Sequence, residues 1–216
     1  MRAVVWQERY LYRIISMKIR SKGELQDRIN DDIVQRKKEI LNLKGLLSKA
    51  KDKNELLLAK CLVVMSYSHW EGFVKNASRY YMMYVKLKGY SSDQYSQNLR
   101  SSLFYRQIMK KQDSVTNKIL LTEDCLYNNR DLTIDEDDLC DTESNLDYNT
   151  LKKILYNVGL RTTEFDTREI FINERIVRDR NKFAHGELQP YSKKDAIEIA
   201  EEVIKLMDKF KTEIDN

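Results

Sequence analysis

The chain has 216 residues, 42% apolar and 33% charged, with a formal net charge of +4. That composition fills one buried core under a charged surface, and the length suits a single domain with room for an insertion. One proline and six glycines leave too little turn punctuation for a strand-rich fold, so an antiparallel all-α bundle of long helices is predicted.

The mild net charge does not by itself mark a nucleic-acid binder. Residues 131–147 (DLTIDEDDLCDTESNLD) are strongly acidic, however, and leave the remainder more basic than the total suggests. Cys61, Cys125 and Cys140 lack paired spacing, and with only two histidines they compose no zinc site. They read as reduced thiols, and no metal or cofactor is expected. No stretch has the length of a membrane span. The N-terminal apolar run is broken by Glu8, Arg9 and Arg13, so a soluble cytoplasmic protein with no membrane partner is predicted.

Residues 1–16 read as an extension. Either translation begins at Met17, or the segment is a short amphipathic helix docking through Val5, Trp6 and Tyr10. Residues 17–216 form a single domain in this reading, with an irregular insertion over about 110–147. Ser21-Lys22-Gly23-Glu24 resembles a capping box. It precedes a helical stripe of Leu25, Ile29, Ile33, Ile40, Leu43 and Leu47. Asn54 opens a longer helix to about Gly89, apolar around most of its girth and therefore central.

Ser91-Ser92-Asp93 can cap a helix through Met109, after which short helices or turns and a partly mobile acidic stretch are expected. LKKILYNVGL predicts a helix ending at Gly159. Another starts near Thr163 or Asp166, carries Ile170, Ile172, Ile176, Val177 and Phe183, and closes at Gly186 and Pro190. Ser192 caps the last helix, with Ile197, Ile199, Val203, Ile204 and Leu206 inward.

The only histidines are His69 and His185. His185 follows Arg180 by five positions, and residues so spaced on a continuous helix lie about 140° apart. Gly186 can end the helix and turn His185 at its C-terminal edge, one turn beyond Arg180. An RNA phosphodiester carries its own nucleophile in the 2′-hydroxyl. Its cleavage needs a proton mover, which histidine supplies, and a cation over the developing phosphorane charge, which arginine supplies. Asn181 can orient the phosphate or hold the imidazole. Arg178 and Lys182 are candidate phosphate contacts, or simply a solvated face. Taken alone, a solvated arginine and a helix-capping histidine account for the pair better than a catalytic pair does.

RDRNKFAHGE, residues 178–187, resembles the R-N-x-x-x-H signature of HEPN domains, with Arg180, Asn181 and His185 at the motif positions. SYSHWEGFVKNASRYYMMYV, residues 66–85, resembles the HWEGF-x-K-type segment of stand-alone prokaryotic HEPN ribonucleases of the toxin and defence type. The likeness covers about residues 17–212. It implies a four-helix HEPN core that dimerises and pairs two R-N-x-x-x-H motifs into one composite, metal-independent endoribonuclease site. It also implies a role in phage defence, stress response or a toxin–antitoxin system, with an antitoxin protein as a further partner. One departure stands out. No Tyr occupies the second position after His185, where Glu187 stands, so control by tyrosine modification is not expected.

On the second motif, Trp70, Phe73, Val74, Ala77, Tyr80, Tyr81 and Tyr84 step along a helix as core or interface residues. Glu71 and Lys75 are an i,i+4 pair. If their face borders the His185 site, Glu71 supports it and Lys75 contacts RNA. His69 reads as a packed or hydrogen-bonded histidine. The alternative to an enzyme is a non-catalytic RNA-binding or scaffold HEPN module.

Overall fold

The computed structural model describes residues 18–51, 53–110, 115–127, 132–187 and 190–216. The N-terminal extension therefore lies outside the described residues, as does the side chain of Cys125. Helix α1 (Lys22–Lys49) and the 36-residue α2 (Lys53–Lys88) precede a 3₁₀ turn (Ser92–Gln94) and α3 (Gln97–Lys110). Then come α4 (Val115–Tyr127), the one-turn α5 (Glu136–Leu139) and α6 (Tyr148–Asn157). A second 3₁₀ turn (Thr163–Arg168) feeds α7, composed of Glu169–Phe171, a π-helical stretch Ile172–Val177 and Arg178–Ala184. Helix α8 (Lys193–Asp215) closes the chain. No strand occurs among the described residues.

The apolar girth of α2 makes it the axis of the bundle. It packs chiefly against α1 and α8, and also against α7 and α5. Leu62, Val63, Trp70, Phe73 and Val74 of α2 are fully buried. Trp70 and Phe73 both meet Phe210 of α8 edge-on, with ring centroids 6.2 Å apart, and Phe165 of the second 3₁₀ turn tilts against the same ring. The aromatic positions of the second motif thus serve the core, where edge-to-face pairs add to the burial of their large surfaces.

Helix ends follow local chemistry. Ser21 accepts the Glu24 amide, Asp147 that of Thr150, and Ser192 that of Asp195. Glu24 reaches back to the amide of Arg20, one residue before the cap, so the predicted box is displaced by a position.

Ile170 is 78% exposed, because the preceding 3₁₀ turn buries Phe165 and the inward face of α7 begins only at Ile172. The acidic stretch, in its described part, is docked. Leu139, Cys140 and Leu146 are buried, while Glu136, Asp137 and Asp138 pair with Lys86, Arg79 and Arg106. Carboxylates in successive positions each meet a cation on α2 or α3, which the local composition did not reveal. Burial pushes the Cys140 thiol up, so it stays protonated. No described helix is long and apolar enough to cross a membrane.

His69 belongs to the packing of α2 on α1. Arg36 donates to its carbonyl at 3.3 Å and to Asp32 at 2.8 Å. The same guanidinium lies over Gly72, where a Cβ would come within 2.6 Å of Nη1. The imidazole Nε2 is 3.3 Å from Glu39 but makes no aligned hydrogen bond. Burial, reinforced by Arg36 and opposed by Glu39 and Asp32, lowers its pKa below 6.5. The folded chain therefore binds this proton less readily than the unfolded one. Its contribution to stability is full above the unfolded value and is lost as pH falls through the folded value. Urea midpoints at about pH 7.5 and about pH 5 should fall further for wild type than for His69→Gln. Equal losses would show that His69 does not couple to folding.

Candidate active site

Arg180, Asn181 and Lys182 lie on the last two turns of α7, and the chain leaves that helix by a glycine cap. Gly186 adopts φ +76°. Its amide donates to the Phe183 carbonyl at 3.2 Å, and the Glu187 amide donates to the Lys182 carbonyl at 3.0 Å. These are the two bonds of a Schellman turn, which requires the left-handed region that glycine enters without strain. His185 is the capping residue. Its amide donates to the Asn181 carbonyl at 3.0 Å while its side chain is exposed.

The turn is clamped from two sides. Lys60 of α2 donates to the Glu187 carbonyl at 3.2 Å and lies 5.4 Å from the centroid of the Phe183 ring. Tyr191 packs edge-on against Phe183 at 4.8 Å and donates to the buried carboxylate of Asp179 at 2.9 Å. Burial and that carboxylate both push the Tyr191 hydroxyl up, so it remains a donor. His185 is thereby presented to solvent from a fixed turn.

Arg180 is held differently from its neighbours. Arg36, Arg79, Arg106, Arg161, Arg168, Arg175 and Arg178 each face a carboxylate. Arg180 has no ion pair among the described residues. Its guanidinium lies 3.8 Å from the centroid of the Tyr67 ring, and Nη2 donates to Asn145 Oδ1 at 3.3 Å. Its Nε is buried without an acceptor. Two neutral groups thus hold a full positive charge, one through the face of an aromatic ring and one through a single long hydrogen bond.

Neither Tyr67 nor Asn145 was singled out by sequence reasoning. Tyr67 carried one signal: it stands one helical turn before Glu71, on the motif helix. Asn145 carried none. It is delivered by a turn in which the Asn145 amide donates to the Thr142 carbonyl at 3.0 Å, with Glu143 at φ 53° and Ser144 at φ 60°. Left-handed conformations of non-glycine residues cost on the order of 1–3 kcal/mol each and cluster at functional positions. The turn is tied to α2 by the Leu146 amide, which donates to the Tyr67 hydroxyl at 2.7 Å. Burial and the charge of Glu71 raise the Tyr67 pKa, against the Leu146 bond and Arg180, so the ring stays neutral beneath the cation.

The remaining candidates divide. Arg178 is engaged by Glu174 and, at 3.4 Å, by Asp179, which occupies its fork. Lys182 and Asn181 are half-exposed and bond no described side chain. Glu71 and Lys75 form no ion pair with each other, so the expected i,i+4 bridge is absent. Glu71 instead acts on Tyr67, and the Lys75 ammonium meets no described carboxylate. No hydrogen bond or ion pair joins Arg180 to His185 within the chain.

A family model described as RiboL-PSP-HEPN matches residues 31–216, most of the chain and both motifs. The chain belongs to this HEPN family. The all-α bundle accords with that membership, which points to RNA-related chemistry. Neither a curated protein nor a solved structure matches this HEPN chain.

Proposed function

We propose that this HEPN chain is a metal-independent endoribonuclease in which Arg180 and His185 act on the scissile phosphate. The observation that carries the reading is the state of Arg180: a cation with no carboxylate partner among the described residues, one turn from an exposed histidine on a rigid cap. His185 moves the proton of the attacking 2′-hydroxyl or of the leaving 5′-oxygen. Arg180 stabilises the charge that develops on the phosphorane. Swinging off Tyr67 toward a phosphate relieves the orphaned Nε donor, whose burial costs on the order of 1–3 kcal/mol. Asn181 and Lys182 border the same helix end and supply orientation and phosphate contact; Glu71, one turn beyond Tyr67 on α2, supports the ring under Arg180, and Lys75, a further turn along, is an RNA contact in this reading.

No hydrogen bond joins Arg180 to His185 within one chain, and in this reading two copies bring their motifs together across a two-fold axis into a composite site. A role in phage defence, stress response or toxin–antitoxin pairing is part of this proposal, with an antitoxin as partner.

The test is cleavage of a labelled RNA oligonucleotide and of its DNA counterpart, with EDTA present, across the fractions of a size-exclusion column. Cutting of RNA alone, with 2′,3′-cyclic phosphate ends and activity in the dimer fractions, is the expected result. RNA bound without cutting would establish the non-catalytic module instead.

A further inference from the structure

A second feature lies between α3 and α6, away from the cap of α7. A cavity of about 460 Å³ opens there, and its lining combines aromatic, amide and cationic side chains. Tyr105 and Tyr156 stand at its walls, 61% and 44% exposed. Neither ring packs against another ring or a cation among the described residues. Asn157 lines the same cavity although it is only 9% exposed. Its Oδ1 accepts the Ser102 hydroxyl at 3.0 Å, which fixes the amide plane, while its Nδ2 bonds no described residue. Arg106 and Lys153 complete the rim, paired with Asp138 and Glu143.

Each group has a bland use elsewhere in proteins, but their convergence fits one ligand chemistry. Exposed tyrosines offer faces for a planar ring. A buried amide held by one bond, with its donor unused, suits a ring carbonyl or nitrogen acceptor. The two cations each spend one bond on a carboxylate. Lys153 and Glu143 are both more than half exposed, so that pair contributes little and gives way to a phosphate without much loss.

We infer that the α3–α6 cleft is a nucleotide-binding site, in which a base stacks on Tyr105 or Tyr156 and hydrogen-bonds Asn157 while its phosphate meets Lys153 and Arg106. The ligand is a nucleotide of a single RNA strand, a source that rests on the ribonuclease reading above. Helix α6 connects the two places. Its exposed residues Asn149, Lys153 and Tyr156 run from beyond the turn that carries Asn145, which holds Arg180, to the cleft, a length of about 10 Å at the helical rise. A strand anchored at the cleft would therefore pass along α6 toward Arg180, a few nucleotides away. The cleft holds the strand; the cap of α7 cuts it.

Tyr105→Ala combined with Tyr156→Ala tests the site, because both side chains are exposed and their loss should leave the melting temperature unchanged. Binding of a labelled single-stranded oligonucleotide is measured by fluorescence anisotropy on a His185→Ala background, and binding of uridine and guanosine monophosphates to wild type by calorimetry. The expected result is a loss of about tenfold or more in oligonucleotide affinity, within the range of one stacked base, together with weaker binding of a shortened oligonucleotide that cannot reach the cleft. Monophosphate binding that the double variant abolishes, without any effect on the oligonucleotide, would keep the nucleotide site and overturn the strand as its source. Unchanged binding of every ligand by the double variant overturns the proposal while leaving the ribonuclease reading intact. Conversely, tyrosine-dependent RNA binding with no cleavage by wild type would retain the cleft and remove the enzyme.

Discussion

Replacing His185 with alanine should slow RNA cleavage by about 10²–10⁴-fold, the range over which a positioned acid–base group acts. The melting temperature should hardly move. The imidazole is exposed and the bonds that fix the turn belong to main-chain atoms of His185, Gly186 and Glu187, with Lys60 bracing from α2. Such a substitution removes a side chain without opening a cavity, and surface changes of that kind stay within about 0.5 kcal/mol. RNA affinity should survive, since the cations around the helix end are untouched. His69→Gln is the matched control: it removes the chain's other histidine, which lies between α2 and α1, and should keep its cleavage rate. Cleavage retained by His185→Ala, or lost equally in both variants, would remove His185 from the chemistry.

Arg180→Lys should reduce the single-turnover rate at saturating RNA by about 10²–10³-fold, comparable to loss of one charge-stabilising donor at a transition state. The charge is conserved in this variant, so the loss isolates geometry. Lysine is a point charge on a flexible stem, whereas the guanidinium is a planar fork that lies flat on Tyr67 and is aligned by Asn145. An arginine that merely attracts RNA would tolerate the exchange, with a modest change in Kd and none in rate. A group acting on the phosphorane shows the opposite split, with the rate falling much more than the affinity. Stopped or quenched-flow rates and anisotropy titrations on the same preparations separate the two. Equal rates in wild type and Arg180→Lys would sink the transition-state role.

The cap of α7 was legible because its chemistry is local. A glycine three residues after Phe183, the last apolar residue of the helix packed on the core, and preceded by a histidine, specifies a left-handed terminator without reference to anything distant. The Ser192 cap and the apolar stripe of α1 were legible for the same reason, and so was the girth of α2, since a helix apolar on most sides has to be surrounded. The π-helical stretch Ile172–Val177 was not. A wider turn is set by what the helix packs against, and the 3.6-residue period carries no mark of it.

The partners of Arg180 were beyond local reasoning altogether. Tyr67 lies 113 positions earlier in the chain and Asn145 lies 35 earlier, in a stretch whose composition suggested mobility. Composition reports the charge of a segment but not the cations waiting on other helices, and the ion pairs of Glu136, Asp137 and Asp138 with α2 and α3 convert that acidic segment into a wall. The chain's sequence settled which residues could do chemistry, because proton transfer and phosphate charge demand particular side chains and it has only two histidines. Which arginine keeps its charge uncompensated, and which lose theirs to carboxylates, depended on contacts between segments far apart in the chain. Only the folded bundle could decide that.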